Sequence, residues 1–373
     1  MQAPRNAAAP WRHLDLTLLL STIGVAAIGV LMVYSSTRQK QESAGLDPSF
    51  FLKRQLVFVA LGLVAMAVVT LVDYRRIRDF TPVIYGLAVL ALLLVVSPLG
   101  TSRRGTQAWF QLGGFQFQPS EVAKLVLILA LAAICAGYRG ELDTSGLLTA
   151  LGLAFVPMAL IYVQPDLGTN MVFVAVLIAV LLVAGARPRH IAVLALLGIT
   201  AIALVVELGM LKDYQRDRLT AFLDPQTDTQ RSSYNLRQSQ IAIAAGGIAG
   251  RGLFQGTQTN LSFVPEQHTD FIFTAVGEEL GLLGGAALLS LFGVMMWRIW
   301  RAAVLARDQF GRLLCVGVLA MLVFQIFENV GMTMGITPIT GIPLPFMSYG
   351  GSSIITAFLG VGLVLNVHMR RFS

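Results

Sequence analysis

Long apolar runs recur along the chain, and they limit its fold more than any other feature. Ten stretches approach the roughly 20 residues that a helix needs to cross a bilayer core. They lie at about 14–34, 51–72, 82–97, 120–138, 146–163, 170–185, 191–210, 271–297, 313–335 and 352–367. Inside hydrocarbon the backbone must satisfy its own polar groups, which runs of this kind do as helices. The sequence therefore predicts an all-α polytopic membrane protein with ten transmembrane helices, forming one integral membrane domain over 1–373.

Composition agrees with a membrane protein and excludes a nucleic-acid-binding one. Hydrophobic residues make up 55% of the chain and charged residues only 13%, against about 25% charged in a soluble domain. The net charge of +7 comes mostly from basic residues that flank the apolar runs, which is where membrane orientation requires them. Cys135 and Cys315 both fall inside apolar runs, so no disulfide scaffold is expected.

The distribution of arginines predicts how the protein is oriented. Ten crossings place both termini on one side, and we expect the first run to be retained because it is long and has no small-residue cleavage site. Arginines concentrate in the short segments on the side of the termini: Arg75, Arg76, Arg78, Arg187, Arg189, Arg298 and Arg301. By the positive-inside rule both termini are cytoplasmic. The long polar segment 211–269, between helices 7 and 8, is then a large extracellular loop.

Acidic and polar residues gather where this extracellular loop meets the eighth apolar run. In the stretch 263–281, Glu266, His268 and Asp270 lie at the boundary between water and hydrocarbon, and Asp270 is the last acid before the run. Ionisable groups at that depth are costly and are functional candidates by default. An equally open interpretation is structural, because Thr269 or Asp270 could cap the helix that follows.

Other charged residues allow both a structural and a functional interpretation. Glu121 and Lys124 are spaced i,i+3 near the outer end of the fourth run, so they share a helix face and can pair. They either lock two helices together or contact substrate. Arg216 and Arg218 in the long loop either hold an anionic group or are simply solvated.

The rest of the long loop suggests a regulatory role. Residues 234–245 have the pattern of a short amphipathic interfacial helix. The tract G-G-I-A-G-R-G-L-F-Q-G at 246–256 lacks the spacing of a nucleotide-binding loop, and we expect its glycines to act as hinges ahead of Asp270. Between the third and fourth runs, Trp109 and Phe110 suggest an interfacial loop.

Several stretches, taken in order, resemble one family. P-L-P-F-M-S-Y-G-G-S-S at 343–353 is similar to the signature of the SEDS proteins, the shape, elongation, division and sporulation family of bacteria. W-F-Q-L-G-G-F-Q-F-Q-P-S-E-V-A-K at 109–124, Q-P-D-L-G-T at 164–169 and P-E-Q-H-T-D-F-I-F at 265–273 also match the family's motifs. The residues E-Q-H-T-D-F-I-F around position 268 and the short N-terminal tail favour the rod-shape branch over the division branch.

The resemblance implies a fold, an activity and a partner. It implies the SEDS fold and a peptidoglycan glycosyltransferase of the bacterial inner membrane. Such an enzyme joins lipid II units into a β-1,4 glycan strand on the outer leaflet and releases undecaprenyl diphosphate. The alternatives are a lipid II flippase or a non-catalytic scaffold. The partner implied is a class B penicillin-binding protein, which cross-links the nascent glycan strand.

The resemblance also implies site residues. The family's essential aspartate falls on Asp270, and its paired acid and base fall on Glu121 and Lys124. His268, beside the aspartate, Ser348, inside the signature, and Arg216 and Arg218 are further candidates for substrate binding. A divalent cation, Mg²⁺ or Mn²⁺, could assist the leaving diphosphate, but the sequence has no D-x-D motif and its ligands are unknown.

Overall fold

The computed structural model describes residues 13–103, 106–138, 142–209, 222, 231–261 and 263–372, and this part of the chain is mostly helical. The helices are α1 (Leu16–Ser43), α2 (Phe50–Leu71), α3 (Tyr74–Val96), α4 (Pro119–Cys135), α5 (Thr144–Val163), α6 (Leu167–Val183), α7 (Pro188–Glu207), α8 (Arg231–Gly246), α9 (Thr257–Asn260), α10 (Ile272–Val304), α11 (Gln309–Met334) and α12 (Gly351–Met369).

Membrane-spanning capacity is clear for most of these helices. Within the described residues, seven helices are long and apolar enough to cross a bilayer: α1, α2, α3, α5, α10, α11 and α12. Two shorter apolar helical stretches, Leu167–Val183 and Pro188–Gly198, accompany them. The outer flanks expose leucine and valine, for example Leu61 and Val64 on α2, which is the surface that lipid solvates.

Aspartates begin several helices and explain where those helices start. Asp15, Asp143, Asp166 and Asp308 each accept a hydrogen bond from the backbone N–H three residues later, at 2.7–3.0 Å. Such a cap satisfies one of the N–H groups that a helix terminus leaves without a partner. Asp73 similarly caps α3. Arg75, Arg76 and Arg78 therefore lie in the first turns of a helix.

The centre of the bundle is formed by α4, α11 and α12. Almost all of α4 is buried, as is most of α12. Small residues allow close helix approach, as is usual in membranes. A Cβ added to Gly62 of α2 would lie 2.4 Å from the Phe358 ring, and one added to Gly362 would lie 2.8 Å from the Met66 carbonyl oxygen. These glycines let α2 pack directly against α12.

The segment between α3 and α4 is a small antiparallel sheet, which corrects the prediction of an all-α chain with an interfacial loop here. Its strands are β1 (Thr101–Arg103), β2 (Thr106–Leu112) and β3 (Phe115–Phe117), in the order β1-β2-β3. Phe110 pairs with Phe117 and Gln111 with Gln116 across a turn containing Gly113, which has a φ of 59°. Aromatic and amide residues alternate with the two-residue period of a strand. Hydropathy averaged over a window as long as a helix does not show this alternation.

The described part of the long loop is folded against the bundle. The predicted helix at 234–245 is present as α8, but it packs on α10 and α11 instead of lying free at an interface. Ser239 Oγ lies 2.6 Å from Thr274 Oγ1 and donates to the Thr333 carbonyl at 2.8 Å. Leu236 is 2% exposed.

Two glycines of the 246–256 tract, Gly246 and Gly250, pack so closely on α10 that a Cβ would meet its backbone; the hinge role of the tract stays a prediction. Helix α10 is broken at Gly281, where φ is 65° and ψ is −163°. Leu282 and Leu283 donate their N–H groups to the carbonyls of Gly247 and Ile248, at 2.9 and 3.0 Å. A Cβ on Gly250 would lie 2.2 Å from the Glu279 carbonyl oxygen. The loop backbone thus fits into the helix break, a contact that we call the glycine clasp (residues 246–252 with 277–283).

Candidate functional site

Asp270 lies just before α10 and does not cap it. The helix is preceded by Phe271, and no side chain provides a cap hydrogen bond there, so the helix-cap interpretation of Thr269 and Asp270 is wrong. The backbone reaches this point through a tight turn in which the N–H groups of Thr269 and Asp270 donate to the Glu266 carbonyl, both at 3.1 Å. Glu266 has a positive φ of 59°. Strained backbone of this kind collects at functional sites.

Asn329 of α11 fixes Asp270 against the segment that precedes the 343–353 motif. Its Nδ2 donates to the carbonyl oxygens of Asp270 and Ile342, both at 2.8 Å. Gly341 is the neighbour of the carboxylate: a Cβ added there would lie 3.5 Å from Asp270 Oδ2. A side chain at position 341 would therefore occupy the space directly beside the carboxylate.

The same segment contacts the start of α6 on its other side. A Cβ on Gly168 would lie 3.2 Å from the Thr340 carbonyl and 2.9 Å from Ile342 Cγ1. Asp166 caps α6, and its Oδ2 also accepts a hydrogen bond from Gln118 Nε2 at 3.4 Å. Asp270, residues 340–342, the 164–169 motif and the start of α4 are thus consecutive neighbours.

Glu121 and Lys124 form the predicted ion pair in the first turns of α4. Lys124 Nζ lies 2.8 Å from Glu121 Oε1, and the side chains are only 2% and 5% exposed. Glu121 Oε2 and the neighbouring Ser120 Oγ have no hydrogen-bond partner among the described residues. Buried polar atoms nearly always have a hydrogen-bond partner. We therefore expect a water molecule or a polar ligand to bind at this end of α4.

His268 and Ser348 are engaged by the protein itself. The His268 ring lies 5.0 Å from the Phe51 ring and 5.7 Å from the Tyr349 ring, and its carbonyl accepts the Tyr349 N–H at 2.8 Å. Ser348 is 1% exposed and its Oγ accepts the Leu344 N–H at 2.8 Å. Ser348 shapes the turn of the motif, and His268 joins that motif to the Asp270 segment. Arg216 and Arg218 lie outside the described residues.

Glu278 and Glu279, two turns into α10, hold the extracellular loop. The Glu278 carboxylate, which is fully buried, accepts hydrogen bonds from Gln258 N, Thr259 N and Thr259 Oγ1 at 2.7–2.9 Å. Gln267 Nε2 in turn donates to Thr259 Oγ1 at 2.9 Å. This chain of contacts runs from α10 through α9 to the turn that carries Asp270. Glu279 accepts from Ser35 Oγ of α1 and from the Phe254 N–H.

Three residues of the site, Asn329, Gly341 and Gln118, were not singled out from the sequence. No local sequence pattern indicates that Asn329 or Gly341 belongs to the site. The Glu328-Asn329 pair is nevertheless unusual, because polar residues inside an apolar run are costly. Glu328, the other member of that pair, is 2% exposed and its Oε1 lacks a hydrogen-bond partner among the described residues. Gln118 was visible only as part of a motif.

A cleft opens beside the site, between α2 and the sheet. Its volume is about 370 Å³, and it is lined by Lys53, Arg54, Val57, Phe58, Leu61, Gly114 and Phe115. Arg54 donates to the Gly114 carbonyl, and Lys53 pairs with Asp47 at 2.8 Å. Hydrogen bonds from Lys53 and Ser49 lower the pKa of Asp47 to about 2. The cleft is therefore apolar along its length with two cationic groups along one side.

Metal ligands do not gather in the described part of the chain. No three His, Cys, Asp or Glu side chains there lie close enough together to hold a metal ion. The participation of a divalent cation stays a prediction. Cys135 and Cys315 are both free and buried.

Known proteins match this chain along nearly its whole length. Stage V sporulation protein E of Bacillus subtilis (strain 168) is 38% identical over 356 residues, covering 95% of this chain and 96% of that protein. The peptidoglycan glycosyltransferase MrdB of Escherichia coli (strain K12) is 37% identical over 365 residues, covering 96% and 94%.

Solved structures share the fold. A chain from a peptidoglycan synthase complex, whose structure concerns the coordination of polymerization and crosslinking, has a TM-score of 0.82 and 33% identity over 96% of this chain and 98% of that one. The rod shape determining protein RodA of Thermus thermophilus has a TM-score of 0.71 and 31% identity, covering 96% and 98%.

The family model of the FtsW, RodA and SpoVE proteins, described as cell cycle protein, matches residues 15–372. The SEDS resemblance of the motifs is thereby confirmed. The chain belongs to the FtsW/RodA/SpoVE family of cell cycle proteins.

Proposed function

We propose that this protein is a peptidoglycan glycosyltransferase that polymerises lipid II into β-1,4 glycan strands at the outer leaflet. The observation that carries the proposal is the row of neighbours from Asp270, through residues 340–342 and the start of α6, to the buried Glu121–Lys124 pair. A carboxylate that can accept a proton and a buried ammonium group that can stabilise negative charge are two groups that glycosyl transfer from a diphosphate uses. The relatives named as peptidoglycan glycosyltransferases support the same activity.

The reaction can be written on these residues. Asp270 accepts the proton of the acceptor sugar's 4-hydroxyl as that oxygen attacks the anomeric carbon of the donor. The new C–O bond forms on the face opposite the leaving group, so the configuration inverts. The bond from the anomeric carbon to the diphosphate oxygen breaks, and the electron pair leaves with undecaprenyl diphosphate.

Lys124 is suited to stabilise the departing diphosphate. Its ammonium group is held by Glu121 Oε1 at 2.8 Å, which fixes its direction before the substrate arrives. A charge placed in advance in a buried site stabilises developing negative charge without reorganisation. The cleft beside α2 would take the apolar prenyl chain, with Lys53 and Arg54 near its diphosphate.

We also propose the orientation, the partner and the cellular role. Ten crossings (α1–α7 and α10–α12) with cytoplasmic termini in the inner membrane place Asp270 on the outer side, where lipid II is polymerised. A class B penicillin-binding protein is the expected partner, since a similar chain was solved within a peptidoglycan synthase complex. The 265–273 motif favours elongation and rod shape over division.

The decisive experiment is polymerisation of lipid II by the purified protein in detergent, with and without the partner. Glycan strands should form and should depend on Asp270. Detergent leaves no membrane to cross, so polymer formation separates an enzyme from a flippase. A protein that binds lipid II but yields no polymer, even with the partner, would overturn the proposal.

A further inference from the structure

The small sheet has two chemically different faces. Side chains alternate along a strand, so Ala108 and Phe110 of β2 point one way and Gln107, Trp109 and Gln111 point the other. Ala108 is fully buried. On the same inner side the Phe115 ring lies 5.7 Å from the Phe58 ring, and a Cβ on Gly351 would meet Phe115 at 2.6 Å. The aromatic face thus packs on the bundle.

The opposite face combines one indole with three amides. We call it the amide face, and it consists of Gln107, Trp109, Gln111 and Gln116. Gln111 and Gln116 are directly paired across the strands, and Gln116 Nε2 donates to Gln111 Oε1 at 3.2 Å. Gln107 Nε2 donates to the Ser97 carbonyl at 2.7 Å, and Thr101 Oγ1 donates to the Trp109 carbonyl at 2.9 Å. These bonds fix the amide groups and the Trp109 backbone.

The amide face is joined directly to the proposed reaction site. Ser352 Oγ donates to the Gln116 carbonyl at 3.2 Å and accepts the Gln118 N–H at 3.0 Å. Gln118 Nε2 then reaches Asp166. Glu121 follows Gln116 by five positions, which is at most about 17 Å of extended chain. A polymer leaving or entering the site would pass within reach of this face.

The chemistry of the face fits an uncharged carbohydrate. An aromatic ring offers a flat apolar surface on which the C–H face of a pyranose can stack. Primary amides both donate and accept, as pairs of sugar hydroxyls and N-acetyl groups require. Segments that bind anionic lipid surfaces instead combine aromatic residues with lysine and arginine, and none of the four residues of this face is charged. Groups already held in place lose little entropy on binding.

We propose that the amide face is a carbohydrate-binding subsite that holds the glycan strand of N-acetylated sugars beside the reaction site. This inference rests on the proposed polymerase function. It adds a place where the strand stays bound between successive couplings, which would lengthen the product.

Two measurements test the subsite. The first is binding of a soluble, lipid-free peptidoglycan oligosaccharide to the full-length protein. Trp109→Ala should weaken binding about three- to tenfold, the usual worth of an aromatic stacking contact. Trp109→Phe should retain most of the affinity. The double variant Gln111→Ala/Gln116→Ala should also bind more weakly. The second is the length distribution of strands made from lipid II, which should shift to shorter products in the variants that bind weakly.

Controls separate this proposal from the alternatives. Trp297→Ala, on a half-exposed tryptophan at the other end of α10, should change neither measurement. Asp270→Asn should lose polymerisation but still bind the oligosaccharide, so the two proposals can fail independently. Unchanged affinity and strand length in Trp109→Ala and in the double amide variant, both with wild-type melting temperatures, would overturn the subsite. Binding of lipid II without any binding of the soluble oligosaccharide would assign the face to the donor headgroup, and binding to empty vesicles alone would assign it to the membrane; either result also overturns it.

Discussion

At the scale of single residues, Asp270 is the group whose environment most clearly departs from a structural role. Its neighbour Phe271, not Asp270, precedes α10, so its carboxylate is not used to start the helix. Asn329 holds its backbone carbonyl, and Gly341 brings no side chain next to Oδ2. Asp270 is therefore placed as a base needs to be, with its backbone fixed and only a glycine at position 341 beside its carboxylate.

Asp270→Asn is expected to reduce lipid II polymerisation by at least about 100-fold, the lower end of what a general base contributes. The amide has nearly the same shape but cannot accept the proton. Single-turnover polymerisation by the purified variant measures the loss. Asp143→Asn is the matched control, because asparagine caps α5 as aspartate does. Equal loss in both variants, or polymerisation near wild type in Asp270→Asn, would count against a general base.

The Glu121–Lys124 pair allows stability and activity to be separated. Lys124→Met alone leaves the Glu121 carboxylate buried without its partner, which costs about 3–5 kcal/mol of unfolding free energy. The double variant Glu121→Gln/Lys124→Met removes both charges and should recover most of that stability. If Lys124 contacts the diphosphate, the double variant stays poorly active despite its recovered melting temperature. Recovery of both properties together would make the pair purely structural.

At the scale of elements, the extracellular loop is bound to α10 at two places, the glycine clasp and the Glu278 carboxylate. The clasp consists of backbone contacts, so it accepts no side chain at its closest points. Glu278 reaches residues 257–259, and Gln267 continues the contact towards Asp270. A partner that shifts this loop would thereby shift the base, and about 1 Å of misplacement can change a rate about a hundredfold.

Gly250 and Gly247 form a matched pair that tests whether these glycines pack or act as hinges. Both have positive φ, 80° and 54°, but only Gly250 has backbone atoms where a Cβ would lie. Gly247→Ala should cost about 1–2 kcal/mol from the left-handed backbone alone. Gly250→Ala should cost clearly more, measured as the fall in melting temperature. Equal destabilisation with equal loss of polymerisation would favour hinges.

Glu278→Gln places an amide group against the N–H groups of Gln258 and Thr259. Losing hydrogen bonds to a charged acceptor costs about 1.5–3 kcal/mol, and we expect hydrogen exchange at 257–260 to accelerate and polymerisation to fall. Adding the partner should slow exchange in the same loop and raise the rate of the wild type. The control is Glu42→Gln on the exposed end of α1. Unchanged exchange in Glu278→Gln, or with saturating partner, would contradict this coupling.

At the scale of the whole molecule, the proposed orientation fixes which surface meets the substrate. Both native cysteines are buried, so introduced cysteines can report accessibility. Ser43→Cys at the end of α1 should react with an impermeant thiol reagent in intact cells. Arg307→Cys, between α10 and α11, should react only after permeabilisation. The reverse pattern would invert the topology and place Asp270 in the cytoplasm.

The sequence alone was sufficient to predict a mostly helical membrane protein of this family and the Glu121–Lys124 ion pair. In a bilayer core the backbone N–H and C=O groups of a long apolar run have no water to bind, and a helix pairs them with each other. Hydropathy therefore predicts helices well. Asp270 stands at the end of such a run, and Glu121 and Lys124 share one helix face; both facts are local. The motifs then identified the family, because several of them occur in the expected order.

Only the tertiary structure shows the contacts between residues that are far apart in the chain. Asn329 meets the Asp270 carbonyl across 59 positions, and the Gln116–Gln118 backbone meets Ser352 across more than 230. The glycine clasp depends on a break in α10 that no local pattern marks. Ser348 Oγ accepts the Leu344 N–H across the turn of the 343–353 motif, and its contact with substrate stays a prediction. Such contacts depend on how the helices pack, and packing is a property of distant surfaces that no window of sequence contains.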